Sequence, residues 1–208
     1  MEGITGLLNQ NNYGLLLSSC ALLKTSITMF GNENFVPLMP QLVTILSDIQ
    51  KYSQDYYYYM TPCPWLQVKI LQILQLFAPP AQNPDLISAV VSQIKRIYKY
   101  VEVTKHVNKN NSDHSILFEA INLAIMYEHH VPRQTRGETV RLLAKFIGVK
   151  EPNIRYLALE CMAKLKPIHL EADRNLIKDN LETFFSGLKE KDISIRKRAL
   201  DTIFYLCN

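Results

Sequence analysis

Apolar residues recur along this chain at three- and four-residue steps, the spacing of one face of an α-helix. Met1 to Leu8 reads as the tail of one such helix, stopped by the polar turn Asn9-Gln10-Asn11-Asn12. From about Tyr13 to Met29 the inward positions are Leu16, Cys20, Leu23 and Ile27, and Gly31-Asn32 ends the run. A third helix starts near Pro37 and Pro40 and carries Leu42, Ile45, Leu46 and Ile49, making an antiparallel pair with the second. Pro64-Trp65 opens a fourth, with Leu66, Ile70, Ile73, Leu74 and Phe77, which Pro79-Pro80 end. A fifth runs from about Pro84 to Val101, with Leu86, Val90, Ile94, Ile97 and Val101 inward. After a polar loop, Thr104 to Asp113, the pattern predicts helices over Ser115–His130, about Thr135–Gly148, and Glu151–Leu165. The last of these carries Ile154, Leu157, Ala158, Cys161, Met162 and Leu165 on one stripe, and Pro152 falls where a first helical turn accepts it. A partner over about Glu171–Leu188 and a last helix from Asp192 complete the series. No alternating strand pattern recurs.

Two of these stretches repeat one another. Laying Arg155 on Arg196 aligns Glu151 with Asp192, Ile154 with Ile195 and Ala158 with Ala199. The offset of about 41 residues is within the period of HEAT and armadillo repeats. Helix starts near Tyr13, Pro64, His114, Pro152 and Asp192 mark the first helix of each repeat. The expected fold is all-α: a right-handed α-solenoid of HEAT/armadillo-like antiparallel helix pairs. Each repeat of a solenoid buries its face against its neighbours. Neither end of the sequence carries a polar cap. Residues 1–208 therefore read as a single fragment of a longer solenoid, with about four helix pairs and a half-repeat at each end. Its first and last helices are expected to expose apolar surface.

Composition narrows the function classes. Hydrophobic residues make up 48% of the chain and the net charge is +4, values ordinary for a soluble globular protein. No apolar run approaches the roughly 18 residues of a membrane span, and Met1-Glu2-Gly3-Ile4 is not the start of a signal peptide. Cys20, Cys63, Cys161 and Cys207 are scattered and form no metal-ligand spacing, so reduced thiols on apolar faces are expected and zinc is not. There is no Gly-rich phosphate loop, no G-x-S-x-G elbow and no H-E-x-x-H helix. No catalytic, metal or cofactor residues are assigned, and an enzyme is not expected. His129-His130 closes a helix, where the helix dipole favours histidine, and is read as structural.

Three features remain to be placed. The acid–arginine pairs Glu151/Arg155 and Asp192/Arg196 are read as an inter-repeat ladder of ion pairs, setting register more than net stability. Lys95, Arg96 and Lys99, with Lys105 and Lys109 just beyond, form the densest basic patch, a candidate surface for an acidic partner or membrane. Finally, the run Tyr56-Tyr57-Tyr58-Tyr59 lies in a loop from Tyr52 to Cys63. Without interleaved Lys and Arg it is not a nucleic-acid stacking platform, and two of its rings are expected to pack on helix ends.

Local sequence adds a resemblance. The segment Asp55-Tyr56-Tyr57-Tyr58-Tyr59, followed by Pro62-Cys63-Pro64-Trp65-Leu66-Gln67-Val68-Lys69-Ile70-Leu71, resembles the trunk of the adaptin large chains, and within them the alpha class of the plasma-membrane clathrin adaptor. Leu76-Phe77-Ala78-Pro79-Pro80 and Ile116-Leu117-Phe118-Glu119-Ala120-Ile121 are similar to the same trunk. Asn153-Ile154-Arg155-Tyr156-Leu157-Ala158-Leu159-Glu160 and Asp192-Ile193-Ser194-Ile195-Arg196-Lys197-Arg198-Ala199 resemble segments shared across the family. His114-Ser115 and the loop 104–113 depart from it.

The resemblance implies a scaffold segment of a heterotetrameric clathrin adaptor complex, acting in clathrin-mediated endocytosis and vesicular protein transport. It implies as partners a small sigma-type subunit, a second large adaptin chain and a medium subunit, with peripheral association to phosphoinositide membrane at coated pits on the cytosolic face of the plasma membrane. Clathrin and accessory proteins would bind only through regions absent from this chain, and no nucleic acid is implied. The alternatives are a sister endosomal or Golgi adaptor or coat complex, or a HEAT-repeat transport or regulatory scaffold of another kind.

Overall fold

The computed structural model describes residues 2–52, 56–100, 104–165 and 181–207. Its helices are α1 (Glu2–Leu8), α2 (Tyr13–Phe30), α3 (Met39–Tyr52), α4 (Pro64–Leu74), α5 (Pro84–Tyr100), α6 (Val107–Met126), α7 (Arg133–Ile147), α8 (Pro152–Met162), α9 (Leu181–Gly187) and α10 (Ile193–Cys207). Short 3-10 turns cover Glu33–Leu38 and Glu128–His130. One two-residue hairpin, β1 (Tyr57–Tyr58) antiparallel to β2 (Thr61–Pro62), interrupts them. The described residues are thus all-α apart from this hairpin. They pack as two compact units, Met1–Leu123 and Ala124–Asn208. The expected inward Val101 and the first part of the helix read over Glu171–Leu188 lie outside the described residues.

In the first unit α2 packs on α1 and α4, and α3 packs on α4 and α5. Helix α2 starts where Asn12 Oδ1 accepts the Leu15 N–H at 2.9 Å. It stops at Gly31, whose φ of +82° is open to glycine and whose N–H closes on the Ile27 carbonyl. Leu16, Ser19, Cys20, Leu23 and Ile27 are buried on one face, as the spacing requires. One expectation needs correction here. By length and composition α2 reaches the range of a membrane span, with a mean hydropathy of 1.3 over 18 residues. Leu16, Cys20, Leu23 and Ile27 of this apolar helix are buried within the unit, and Lys24 on its flank donates to Gln72 Oε1 of α4 at 2.6 Å.

The entry near Pro37 is a 3-10 turn, and α3 begins only at Met39. Met39 and Val43 join Leu42, Leu46 and Ile49 in the core, while Ile45 is half-buried. Phe77 is buried but lies past the end of α4, in the turn after Leu74.

The largest correction concerns α6. The sequence places a loop over Thr104–Asp113 and a repeat start near His114. The helix instead begins at Val107, about two turns earlier. Asn110 organises this start: its Oδ1 accepts the Thr104 N–H at 2.9 Å, and its Nδ2 donates to the Thr104 carbonyl at 2.8 Å. Ser112 and Ser115 return their hydroxyls to the carbonyls four residues back, and Lys109 pairs with Asp113. A polar turn whose side chains close on their own helix is stable where composition alone reads as loop.

In the second unit α8 packs on α7 and α10, and α9 packs on α10. On α8 the buried positions are Ile154, Ala158, Leu159, Cys161 and Met162. Leu159 replaces Leu157, which is 37% exposed, so the buried stripe is rotated toward the Arg155–Leu159 side. Across from it, α10 buries Ile195, Ala199 and Thr202. The Thr202 hydroxyl lies 3.1 Å from the Leu159 carbonyl and 2.8 Å from that of Arg198. Ile193, Leu200, Phe204 and Tyr205 of α10 are exposed, as are Leu22, Met29 and Phe30 of α2.

Gly187 marks the closest approach of α9 to α10. A Cβ there would stand 2.9 Å from the Ala199 Cβ. We expect Gly187→Ala to lower stability by about 1–3 kcal/mol through overpacking, measured by chemical denaturation. Gly6→Ala on α1 has open space around it and should be neutral or stabilising.

Candidate functional site

The loops that join these helices carry carbonyls with no partner in a helix ladder. A recurring device satisfies them. Arg136, Arg196 and Gln67 each stand four residues after the position preceding their helix. Each reaches back over the helix start to the loop before it. Arg136 Nη1 donates to the Val131 carbonyl at 2.6 Å, and Arg196 Nη1 to those of Glu190 at 2.7 Å and Lys191 at 3.1 Å. Gln67 Nε2 donates to the Pro62 carbonyl at 2.6 Å. A guanidinium is suited to this because its several donors are fixed in a fork and stay charged.

Of the expected ladder residues Glu151, Arg155, Asp192 and Arg196, the two arginines take partners other than Glu151 and Asp192. Arg155 turns to Glu190, in the loop before α10, at 2.7 Å. Asp192 Oδ1 accepts the Ser194 N–H at 2.7 Å and so caps its own helix. Arg196 binds the backbone, as described. Glu151 contributes its carbonyl, which accepts the Arg155 N–H. Glu190 is therefore the joint: its carboxylate takes Arg155 and its carbonyl takes Arg196. The Arg155 hydrogen bond holds the Glu190 carboxyl below its ordinary value. Alongside, Arg198 Nη2 donates to Tyr156 Oη at 3.0 Å, with its guanidinium 5.2 Å from the ring centroid. That contact raises the Arg198 pKa further.

The first unit holds a ladder that the sequence did not disclose. Lys24 of α2 donates to Gln72 Oε1 of α4. Gln72 Nε2 and Gln75 Nε2 in turn donate to Glu119 Oε1 and Oε2 of α6, each at 2.7 Å. A lysine, two glutamines and a glutamate thus link α2, α4 and α6. Their residue types are common on solvated faces, so no pattern marks them. Arg136 and Gln67, by contrast, share their spacing from the helix start with Arg196 and could have been found from it.

The five candidate basic residues do not act alike. Lys95 and Lys99 are exposed one turn apart on α5, and Lys105 is exposed beyond it. Arg96 faces α3, where Nη2 donates to the Leu46 carbonyl at 2.9 Å and Nη1 to that of Ser47 at 3.2 Å. Burial lowers its pKa from the usual arginine range. Lys109 is half-buried against Asp113. Three lysines therefore remain as an open basic surface, and two of the five positions are structural. The thiol of Cys20 is pushed up to about 12 by burial, which makes it a packing group and not a nucleophile.

We expect Arg155→Ala and Glu190→Gln each to lower the melting temperature, and Glu151→Gln to leave it unchanged. Equal losses in all three would restore Glu151 as the partner. Glu190 has a folded pKa below its unfolded value, so the pair stabilises above about pH 4.3 and that stability is lost as pH falls through the folded value. The gap between wild type and Arg155→Ala should close in acid.

Comparison with known proteins places these contacts in a family. Residues 1–208 match the model described as the Adaptin N terminal region. The chain is 38% identical over 205 residues to AP-2 complex subunit alpha-1 of Arabidopsis thaliana, covering 97% of this chain and 20% of that protein. It is 34% identical over 218 residues to AP-2 complex subunit alpha-2 of Dictyostelium discoideum, covering 100% and 21%. To AP-2 complex subunit alpha of Schizosaccharomyces pombe it is 36% identical over 157 residues, covering 76% and 17%. The chain spans about a fifth of the length of the first two relatives. With the whole chain matched, and with helix after helix packed through the contacts described, the chain belongs to the adaptin family.

Proposed function

We propose that this chain is a scaffold segment of a heterotetrameric clathrin adaptor complex, acting in clathrin-mediated endocytosis and vesicular protein transport. The observation that carries the reading is identity to AP-2 alpha subunits along the whole chain. The packing of helices in equivalent repeat positions, α2 with α4 and α8 with α10, supports it. In this reading residues 1–208 form part of a right-handed solenoid of HEAT/armadillo-like pairs, about four pairs with a half-repeat at each side. Its chemistry is that of a binding surface and not of an enzyme.

The partners in this reading are a small sigma-type subunit, a second large adaptin chain and a medium subunit. Clathrin and accessory proteins are assigned to parts of the relatives outside the fifth that this chain spans. The location is the cytosolic face of the plasma membrane, at coated pits, by peripheral association with phosphoinositide membrane. Lys95, Lys99 and Lys105 are the residues of the basic surface left open to an acidic partner. The Glu190-centred contacts with Arg155 and Arg196 set the register between α8 and α10.

Affinity capture with this chain as bait in cytosol, followed by mass spectrometry, tests the proposal. A small sigma-type subunit and a second large adaptin chain should be recovered. Recovery of nuclear-transport or phosphatase assemblies in their place would overturn it.

A further inference from the structure

The scaffold role leaves the tyrosine run without a purpose, and its geometry is specific. The hairpin turns through Tyr59 and Met60, whose φ values of +46° and +68° are both left-handed. This is the two-residue turn that matches strand twist, but it is normally built from Asn and Gly. Cys63 follows at +40° and turns the chain into α4. The turn sets Tyr56 and Tyr58 beside the starts of α2 and α4. Tyr56 meets Tyr13 edge-on at 5.7 Å, and Tyr58 meets Trp65 edge-on at 5.0 Å.

Between them lies a hollow of about 240 Å³. Tyr13, Tyr56, Tyr57, Tyr58 and Trp65 line it, with Leu17 among the apolar remainder. Among the described residues, no carboxylate and no cation lines it. It is smaller than a site for a drug-sized ligand. Several aromatic rings line this small space, and an aromatic-lined site is the kind of surface that attracts an alkylated ammonium. A quaternary ammonium has no N–H to satisfy and binds through its alkylated surface, which suits an aromatic lining.

Leu17 and Trp65 also form a wall of an adjoining hollow, lined on its other side by Lys69, Ser18 and Ser115. Lys69 follows Trp65 by one helical turn, about 5–6 Å between side-chain bases. The two hollows thus share Leu17 and the Trp65 indole. We propose that this double hollow binds a phosphocholine headgroup, with its trimethylammonium among the five rings and its phosphate at Lys69. The source is a phosphatidylcholine membrane. Tyr59 and Met60, 51% and 78% exposed at the hairpin tip, and Trp65, 59% exposed, project an aromatic and apolar rim beside the site. Such groups partition to the membrane–water interface. The inference stands on this geometry and does not require the adaptor reading.

Trp65 is the single tryptophan of the chain and gives the readout. Its fluorescence is followed while phosphocholine, choline and trimethyllysine are titrated separately, with circular dichroism confirming the fold of each variant. Phosphocholine should saturate, and more tightly than choline. Tyr58→Leu should weaken it about tenfold, the scale of one desolvated cation–π contact, while Tyr58→Phe keeps the ring and should bind. Lys69→Gln should abolish the preference over choline. The chain should sediment with phosphatidylcholine vesicles, and Met60→Asp should lose sedimentation while retaining soluble phosphocholine. No saturable response, equal binding of choline and phosphocholine, or tightest binding of trimethyllysine would each overturn the proposal. Soluble binding without vesicle binding would overturn the membrane source.

Discussion

Helices of eleven residues, such as α4 and α8, do not persist in water alone, because the cost of nucleation exceeds what so few hydrogen bonds return. They persist here because each is held from the side. The constraint under which the rest of the structure operates is therefore the helix-on-helix interface within each unit. Apolar stripes supply the bulk of it: Ile70, Ile73 and Leu74 on α4, and Ala158, Leu159 and Met162 on α8, are all but fully buried. Burial of this kind is not directional. It favours contact without specifying how far one helix slides along the next.

The polar contacts threaded through those faces are directional where burial is not. In the first unit they run from Lys24 through Gln72 to Glu119. In the second they are Arg155 with Glu190, Tyr156 with Arg198, and the Leu159 carbonyl with Thr202. Each joins side chains or carbonyls on neighbouring repeats, so a slip of one turn would break them while preserving most apolar contact. Half-exposed pairs add little net stability. Their worth lies in the penalty they place on the wrong alignment. The arginine or glutamine set four residues into a helix adds a second kind of control. By tying the loop carbonyls at its own start, it fixes the angle at which the chain enters each helix, without a large loop being buried.

The same economy explains why the tyrosine hairpin stands out. Among the described residues, the turns before α2, α7 and α10 are short and their polar groups are satisfied locally. Between α3 and α4 the chain instead adopts left-handed conformations at Tyr59, Met60 and Cys63. Backbone in such regions is held only where the surroundings over-determine it. Here the surroundings are rings locked edge-to-face against Tyr13 and Trp65, together with Thr61 Oγ1 donating to Asp113 Oδ1 at 2.6 Å. The aromatic surface is thereby presented on a rigid support.

The sequence by itself determined the all-α class, the helix order and most inward positions, because a 3.6-residue period records burial directly. Leu16, Cys20, Leu23 and Ile27 were legible on α2 for that reason, and the Arg155/Arg196 repeat gave the period. Spacing could not reveal which partner each charged group takes, because that choice is made across the stack. Arg155 finds Glu190 and not Glu151, Arg96 turns inward to the carbonyls of α3, and Leu159 replaces Leu157 in the buried face. The early start of α6 was hidden for a related reason: Asn110, Ser112 and Ser115 read as loop until their side chains are seen closing on the backbone. Only the tertiary structure decided these, since polar groups are placed by whatever donor or acceptor the neighbouring helix brings within about 3 Å, and that distance is not written in any one segment.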